Sequence, residues 1–137
     1  MVGKFSRLLR YLWALPTTMV GLFVTVLALL TGGRAKVHTG VLEVHGGFAT
    51  WLLRTVRAGA MTLGHVVIAL DEAAHDFSRE HERVHVRQVE VFGPFFLPAY
   101  GLASLWAYLR GAHYYYSNPF EIEAYGLDLS ARRDARR

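Results

Sequence analysis

Residues 71–93 read DEAAHDFSREHERVHVRQVEVFG, and inside them His81-Glu82-Arg83-Val84-His85 sets two imidazoles four residues apart. His81, Val84, His85, Gln88 and Val91 recur on adjacent faces at helical spacing, which predicts a helix. Asp71-Glu72 can open it, with Ser78 and Glu82 leaving the exact start open, and Gly93-Pro94 should close it. Arg79, Arg83 and Arg87 form a separate stripe, expected to face solvent or lipid headgroups. Positions i and i+4 of a helix project from one side about one turn apart, so His81 and His85 can aim ring nitrogens at one tetrahedral ion. Glu82 then lies beside the ion rather than on it. There it can take a proton from an activated water and return it to a leaving amine. Zinc suits such a site, because imidazole and carboxylate ligands leave a fourth position open for water.

A catalytic zinc needs a third protein ligand, and a carboxylate on a second helix facing the first can provide it. The downstream segment Asn118-Pro119-Phe120-Glu121-Ile122-Glu123-Ala124-Tyr125 offers two candidates, with Pro119 able to occupy the first turn of a helix running to about Ser130. On these two motifs the chain resembles the gluzincins, the thermolysin-like and membrane-embedded zinc metallopeptidases. Their HExxH helix is followed by a glutamate helix of the form Glu-x-x-small-Asp. The resemblance implies His81, His85 and Glu121 as zinc ligands and Glu82 as catalytic base and acid. It departs at Tyr125, where the family has the aspartate that orients a ligand histidine. Glu123 stays a rival ligand, and Gln88 and Tyr125 are candidates for a supporting role. The string HERVHVRQ…NPFEIEAY also resembles small bacterial membrane-associated proteins with the same HExxH and NPFExEA arrangement. The likeness covers about residues 62–130. It implies an edge strand ahead of the HExxH helix, and Met61–Leu70 is placed to be that strand and to bind an extended peptide.

Between residues 36 and 70 short β-like runs are punctuated by glycine. Val41–His45 ends at Gly46-Gly47 and reads as a strand and turn. Residues 48–56 fit strand or helix equally. Met61–Leu70, rich in β-branched residues, is the clearest strand. His65 within it and His75 near the helix start are possible metal or transition-state contacts, though a buried or surface role is the commoner fate of a lone histidine. Tyr114, Tyr115 and Tyr116 can bring a phenol to the metal or form an interfacial aromatic cluster. His38, His45 and His113 have no evident partner in the sequence.

No charged residue occurs between Arg10 and Arg34, a length that suits a membrane-spanning helix, with Lys4, Arg7 and Arg10 before it and Tyr11 and Trp13 at the interface position. A cleaved signal peptide fits less well, since no small-x-small site closes the run. A soluble helix broken near Pro16 is the third reading. Arg34 and Lys36 offset the N-terminal positive bias, so the orientation stays open. A second uncharged run, Val91–Leu109, contains Gly93, Pro94, Pro98 and Gly101. If Glu121 shares an ion with His81 and His85, this run must double back rather than cross a bilayer.

At 137 residues the chain suits a single core. Its 53% hydrophobic content and mean hydropathy of +0.22 lean toward membrane contact and away from disorder. The net charge of +4 is modest, its arginines spread along the chain and clustered only at the tail (Arg132, Arg133, Arg136, Arg137), without a nucleic-acid recognition motif, so no nucleic-acid partner is expected. The absence of cysteine excludes disulfides and thiol chemistry. The reading is therefore an α+β protein: a membrane anchor over residues 1–34, then a zincin-like domain over 35–137 with a small sheet, the HExxH helix and a glutamate helix. Its expected activity is zinc-dependent hydrolysis of peptide or protein substrates at a membrane. The alternative is a non-catalytic membrane-associated module that keeps a vestigial metal site.

Overall fold

A computed structural model describes residues 2–126. The chain forms α1 (Val2–Trp13), α2 (Leu15–Leu30), β1 (Arg34–His38), β2 (Val41–His45), α3 (Gly47–Val56), β3 (Ala60–Leu63), β4 (Val66–Ala69), α4 (Glu72–Phe92), a 3-10 turn at Gly93–Phe95, and α5 (Phe96–Leu109). A further helical segment, α6, covers residues 119–126. The class is α+β, as the alternation of β-like and helical runs predicts. The far end of the last helix, toward Ser130, and the arginine tail lie outside the described residues.

The four strands stand in the order β1-β2-β4-β3. Two antiparallel hairpins, β1–β2 and β3–β4, join through a parallel β2–β4 pairing that α3 bridges. The single strand expected at Met61–Leu70 is instead the second hairpin, turned at Gly64-His65. Gly64 adopts φ +68°, a left-handed geometry that glycine takes without strain. The edge strand is thus β3, while β4 is central and buried throughout. Residues 48–56 are helical and belong to α3.

Strand alternation sorts side chains to two faces. Val44, Leu63, Val66 and Ile68 meet Val24 and Ala28 of α2 and Ala49 and Leu53 of α3 in the main core. Val41 and Val67 meet Val86 of α4 on the opposite face. Two polar residues on that second face also hold α4. Glu43 takes a bidentate pair from Arg79, with both distances 2.9 Å, and Thr62 reaches Glu82. Arg83 donates to the carbonyls of His38 and Thr39. Arg79 and Arg83 are therefore clamps between α4 and the first hairpin rather than a solvated stripe; Arg87 alone of the three is exposed. The α4 start is set by Asp71, whose carboxylate accepts from Ala74 N at 2.8 Å. Its end is set by Gly93 at φ +56°, where a Cβ would lie 2.4 Å from the Trp13 ring.

The N-terminal apolar run is not one helix. It breaks at Ala14, Pro16 falls in the first turn of α2, and α1 and α2 meet at 66°. Among the described residues no single helix is long and apolar enough to cross a membrane; the bent α1–α2 pair alone passes by length and composition. The second uncharged run does double back. The turn at Gly93–Phe95 starts α5 in a new direction, and residues 110–118 bring α6 against α4.

Candidate metal centre

Asn118 explains how the NPFE segment is placed. Fully buried, it caps α6 by accepting from Phe120 N at 3.0 Å, while its amide donates to the Tyr100 carbonyl at 3.1 Å and to Ser104 Oγ at 2.8 Å. Pro119 follows at the first helical position, where its missing N–H costs nothing. Phe120 packs with Ala14, Val89, Phe96 and Tyr100. These fastenings turn Glu121 and Ala124 inward and leave Ile122 and Glu123 outward.

His81, His85 and Glu121 are all buried, and one ligand atom from each lies within 4.8 Å of the others. His81 Nε2 is 3.0 Å from Glu121 Oε2, and His85 Nε2 is 3.1 Å from Glu121 Oε1. Three oxygen- and nitrogen-donating groups converging in this way can hold one metal ion. His85 is oriented by Gln88, whose Oε1 lies 2.8 Å from Nδ1. Because an amide oxygen only accepts, His85 carries a proton on Nδ1 and leaves Nε2 as the ligand nitrogen. Gln88 in turn donates to the Phe120 carbonyl at 3.0 Å, tying both helices to one ligand. His81 lacks such support. Its Nδ1 is buried without a hydrogen-bond partner among the described residues, and the Tyr125 ring lies over the imidazole at 4.4 Å between centroids. Tyr125, at the position where an aspartate was expected, covers His81 with its ring.

The electrostatics follow from burial and pairing. Burial opposes ionisation of Glu121, but hydrogen bonds from His81, His85 and Tyr100 outweigh it and hold the carboxyl far below its ordinary range. Burial likewise opposes a charged His85, yet its contacts with Glu121 raise its pKa above 6.5. Glu82 is pushed above its usual value chiefly by burial, with His85, Thr62 and His81 pulling the other way.

Two of the residues that touch this cluster carry no sequence signal. Tyr100 of α5 donates to Glu121 Oε1 at 2.7 Å, and Thr62 of β3 lies 2.6 Å from Glu82 Oε2. Thr62 Oγ1 is also 3.2 Å from the Glu82 carbonyl. Asn118 was within reach of sequence reasoning, since Asn-Pro ahead of a helical run is a cap followed by a first-turn proline.

Other expected participants lie elsewhere. Glu123 is exposed and reaches only Gln88, at 3.4 Å, so it does not share the cluster with the two histidines. His65 is also outside it: set in the β3–β4 turn, it pairs with Glu90 at 2.8 Å and stacks on Tyr11. His75 donates to the Val44 carbonyl at 2.9 Å and meets His45 edge-on, and burial lowers its pKa. Tyr115 pairs with Tyr125 at 3.2 Å, Tyr114 and Tyr116 are exposed, and His113 Nδ1 accepts from the backbone of Tyr115 and Tyr116. The phenol that reaches Glu121 is therefore Tyr100, not one of the three consecutive tyrosines. The chain matches no protein-family model, no curated protein and no solved structure, so its function rests on this geometry alone.

Proposed function

We propose that the protein is a zinc-dependent hydrolase of peptide bonds, with His81, His85 and Glu121 holding the ion and Glu82 as general base. The observation that carries the proposal is the convergence of three buried ligand groups within 4.8 Å, flanked by a second buried carboxyl, Glu82, of raised pKa. Two imidazoles and one carboxylate are the donor set of catalytic zinc, since three protein ligands leave one position for water or substrate. When bound, zinc would acidify water and polarise a carbonyl.

The chain's own groups supply the rest. Glu82, its pKa raised above the usual value by burial, accepts the proton of the attacking water and passes it to the departing amine. Thr62 fixes the base by engaging Oε2, so the other carboxylate oxygen is the one left for proton transfer. Tyr100 holds Glu121 Oε1 and keeps the carboxylate turned to the histidines. Edge strand β3 carries Thr62, and an extended peptide pairing along that edge would lie beside the base.

The test compares wild type with Glu82→Gln, both loaded with zinc, on a mixed peptide library read by mass spectrometry. The expected result is cleavage by the wild type and a loss of about 10²–10⁴-fold in the variant, with zinc content unchanged. Equal cleavage by both proteins overturns the role of Glu82. Metal retained by both with cleavage by neither favours a metal-holding module without catalysis.

A further inference from the structure

Three helices, α1, α2 and α5, are built inside out. α2 buries Thr17, Gly21, Val24, Thr25 and Ala28, and exposes Leu15, Met19, Val20, Leu22, Phe23, Val26, Leu29 and Leu30. Phe23 is 65% exposed and Leu30 76%, while Thr25 is 5%. In water the reverse arrangement is favoured, because each large apolar side chain gains about 1.5–3 kcal/mol on burial. α1 repeats the inversion. Its polar side holds the protein, with Tyr11 donating to the Gly40 carbonyl at 2.6 Å and Arg10 pairing with Glu90 at 3.7 Å, while Leu8, Leu9 and Leu12 face outward and Trp13, donating to the Val91 carbonyl at 3.0 Å, stays half-exposed at the edge. α5 buries only Phe96 and Ala107 and exposes Leu97, Leu102, Leu105, Trp106 and Leu109. Small residues turned inward and large apolar ones outward are the packing rule of helices in lipid.

We infer that this face is immersed in one leaflet of an anionic bilayer, holding the protein as a monotopic membrane protein rather than by a spanning helix. Three observations choose this occupant and this mode. The first is charge. Lys4 and Arg7 on α1, Arg34 and Lys36 on β1 just past α2, and Arg110 just past α5 are exposed, and no acidic residue precedes Glu43 or falls between Glu90 and Glu121. A cationic rim complements anionic headgroups, whereas a symmetric pair of such faces would oppose like charges. The second is the interfacial aromatics: Trp13, and Trp106 with Arg110 stacked 3.5 Å over its ring. The third is length and attachment. α2 has 16 residues, about 24 Å at 1.5 Å each, short of the ~30 Å hydrocarbon core. It packs on the sheet and α3 along its whole length, and the opposite face of that sheet carries the Glu43–Arg79 pair, which a spanning pose would draw into hydrocarbon.

This inference rests on the helices and not on the metal centre, so the two fail independently. The experiment uses the full chain, diluted from detergent onto preformed vesicles of phosphatidylcholine with 3:7 phosphatidylglycerol or of phosphatidylcholine alone. Wild type is expected to co-sediment with the mixed vesicles and about tenfold less with the neutral ones. The double variant Phe23→Asp, Leu30→Asp should lose at least about 100-fold in partitioning, with unchanged circular dichroism and a cooperative thermal melt to show that it folds. Since the chain has no cysteine, Gly3→Cys and Arg34→Cys can be labelled singly with an impermeant maleimide. Both positions should react equally from outside intact vesicles. Protection of one until detergent is added means a transmembrane span and overturns the single-leaflet mode. Undiminished partitioning of the double variant, or a dimer by light scattering that the double variant abolishes without vesicle binding by the wild type, overturns the lipid assignment.

Discussion

The α4–α6 region and the α1–α2–α5 face solve opposite problems with the same residue types. Around α4, charged and polar groups are buried and satisfy one another: Glu121 receives His81, His85 and Tyr100, and Glu43 receives Arg79. Along α2, hydroxyl groups are spent on backbone: buried Thr25 donates to the Gly21 carbonyl at 2.8 Å and buried Thr17 to the Gly93 carbonyl at 3.4 Å, while half-buried Thr18 donates to the Ala14 carbonyl and accepts from His65 N, both at 3.0 Å. Buried polarity that pairs side chain with side chain across elements positions a chemical site. Hydroxyls spent on backbone groups let elements approach closely.

That contrast can be broken most forcefully at Gly21. A Cβ there would lie 2.6 Å from the Leu63 carbonyl oxygen and the Val66 Cβ. Gly21→Leu should destabilise the fold by about 3 kcal/mol or more, read from denaturant midpoints, because the β3–β4 hairpin cannot yield without moving the sheet. A fully tolerated leucine would mean that α2 is not seated on the sheet. Gln88 sharpens the other side. Gln88→Ala should weaken zinc binding by about 10–100-fold in a chelator competition, since it orients His85 through Nδ1. Unchanged affinity would reduce Gln88 to a packing residue.

The smallest expected effect is the pH dependence of the metal-free protein. His85 is raised by its partners, so its contribution is present below 6.5 and is lost as pH rises through the folded value. Glu121 is lowered, so its contribution is present above 4.5 and is lost as pH falls through the folded value. Glu82, raised by burial, costs stability as pH climbs above 4.5. Thermal melts without metal should therefore weaken as pH climbs above 6.5. Melts with zinc should strengthen over the same range, because the metal competes with the proton on His85. Parallel trends in both series would sever His85 from the metal.

How much of this was legible in the sequence depended on the range of the contact. The helix bearing His81 and His85, its Asp71 cap and its Gly93 stop are local, and periodicity exposes them. Glu121 and Glu123 are indistinguishable by local pattern, since both lie on one amphipathic turn; the Asn118 fastening decides which faces inward. Tyr100 and Thr62 lay in an apolar run and a β-branched run, and only tertiary packing brings them to Glu121 and Glu82. The hairpin at Gly64 was missed although a glycine followed by one residue between two apolar runs is a turn signal. Missing it left His65 in a continuous strand ahead of the HExxH helix, whereas the turn carries it to Tyr11 and Glu90. The inversion of α2 was not visible at all, because an uncharged apolar stretch does not say which face turns in.

The central claim is that His81, His85 and Glu121 hold one zinc ion. Metal analysis of protein purified without chelator and equilibrated with zinc tests it most directly. Wild type and Glu123→Ala should each retain about one zinc per chain, and Glu121→Ala close to none. Zinc absent from the wild type, or lost with Glu123 and kept without Glu121, would contradict the account.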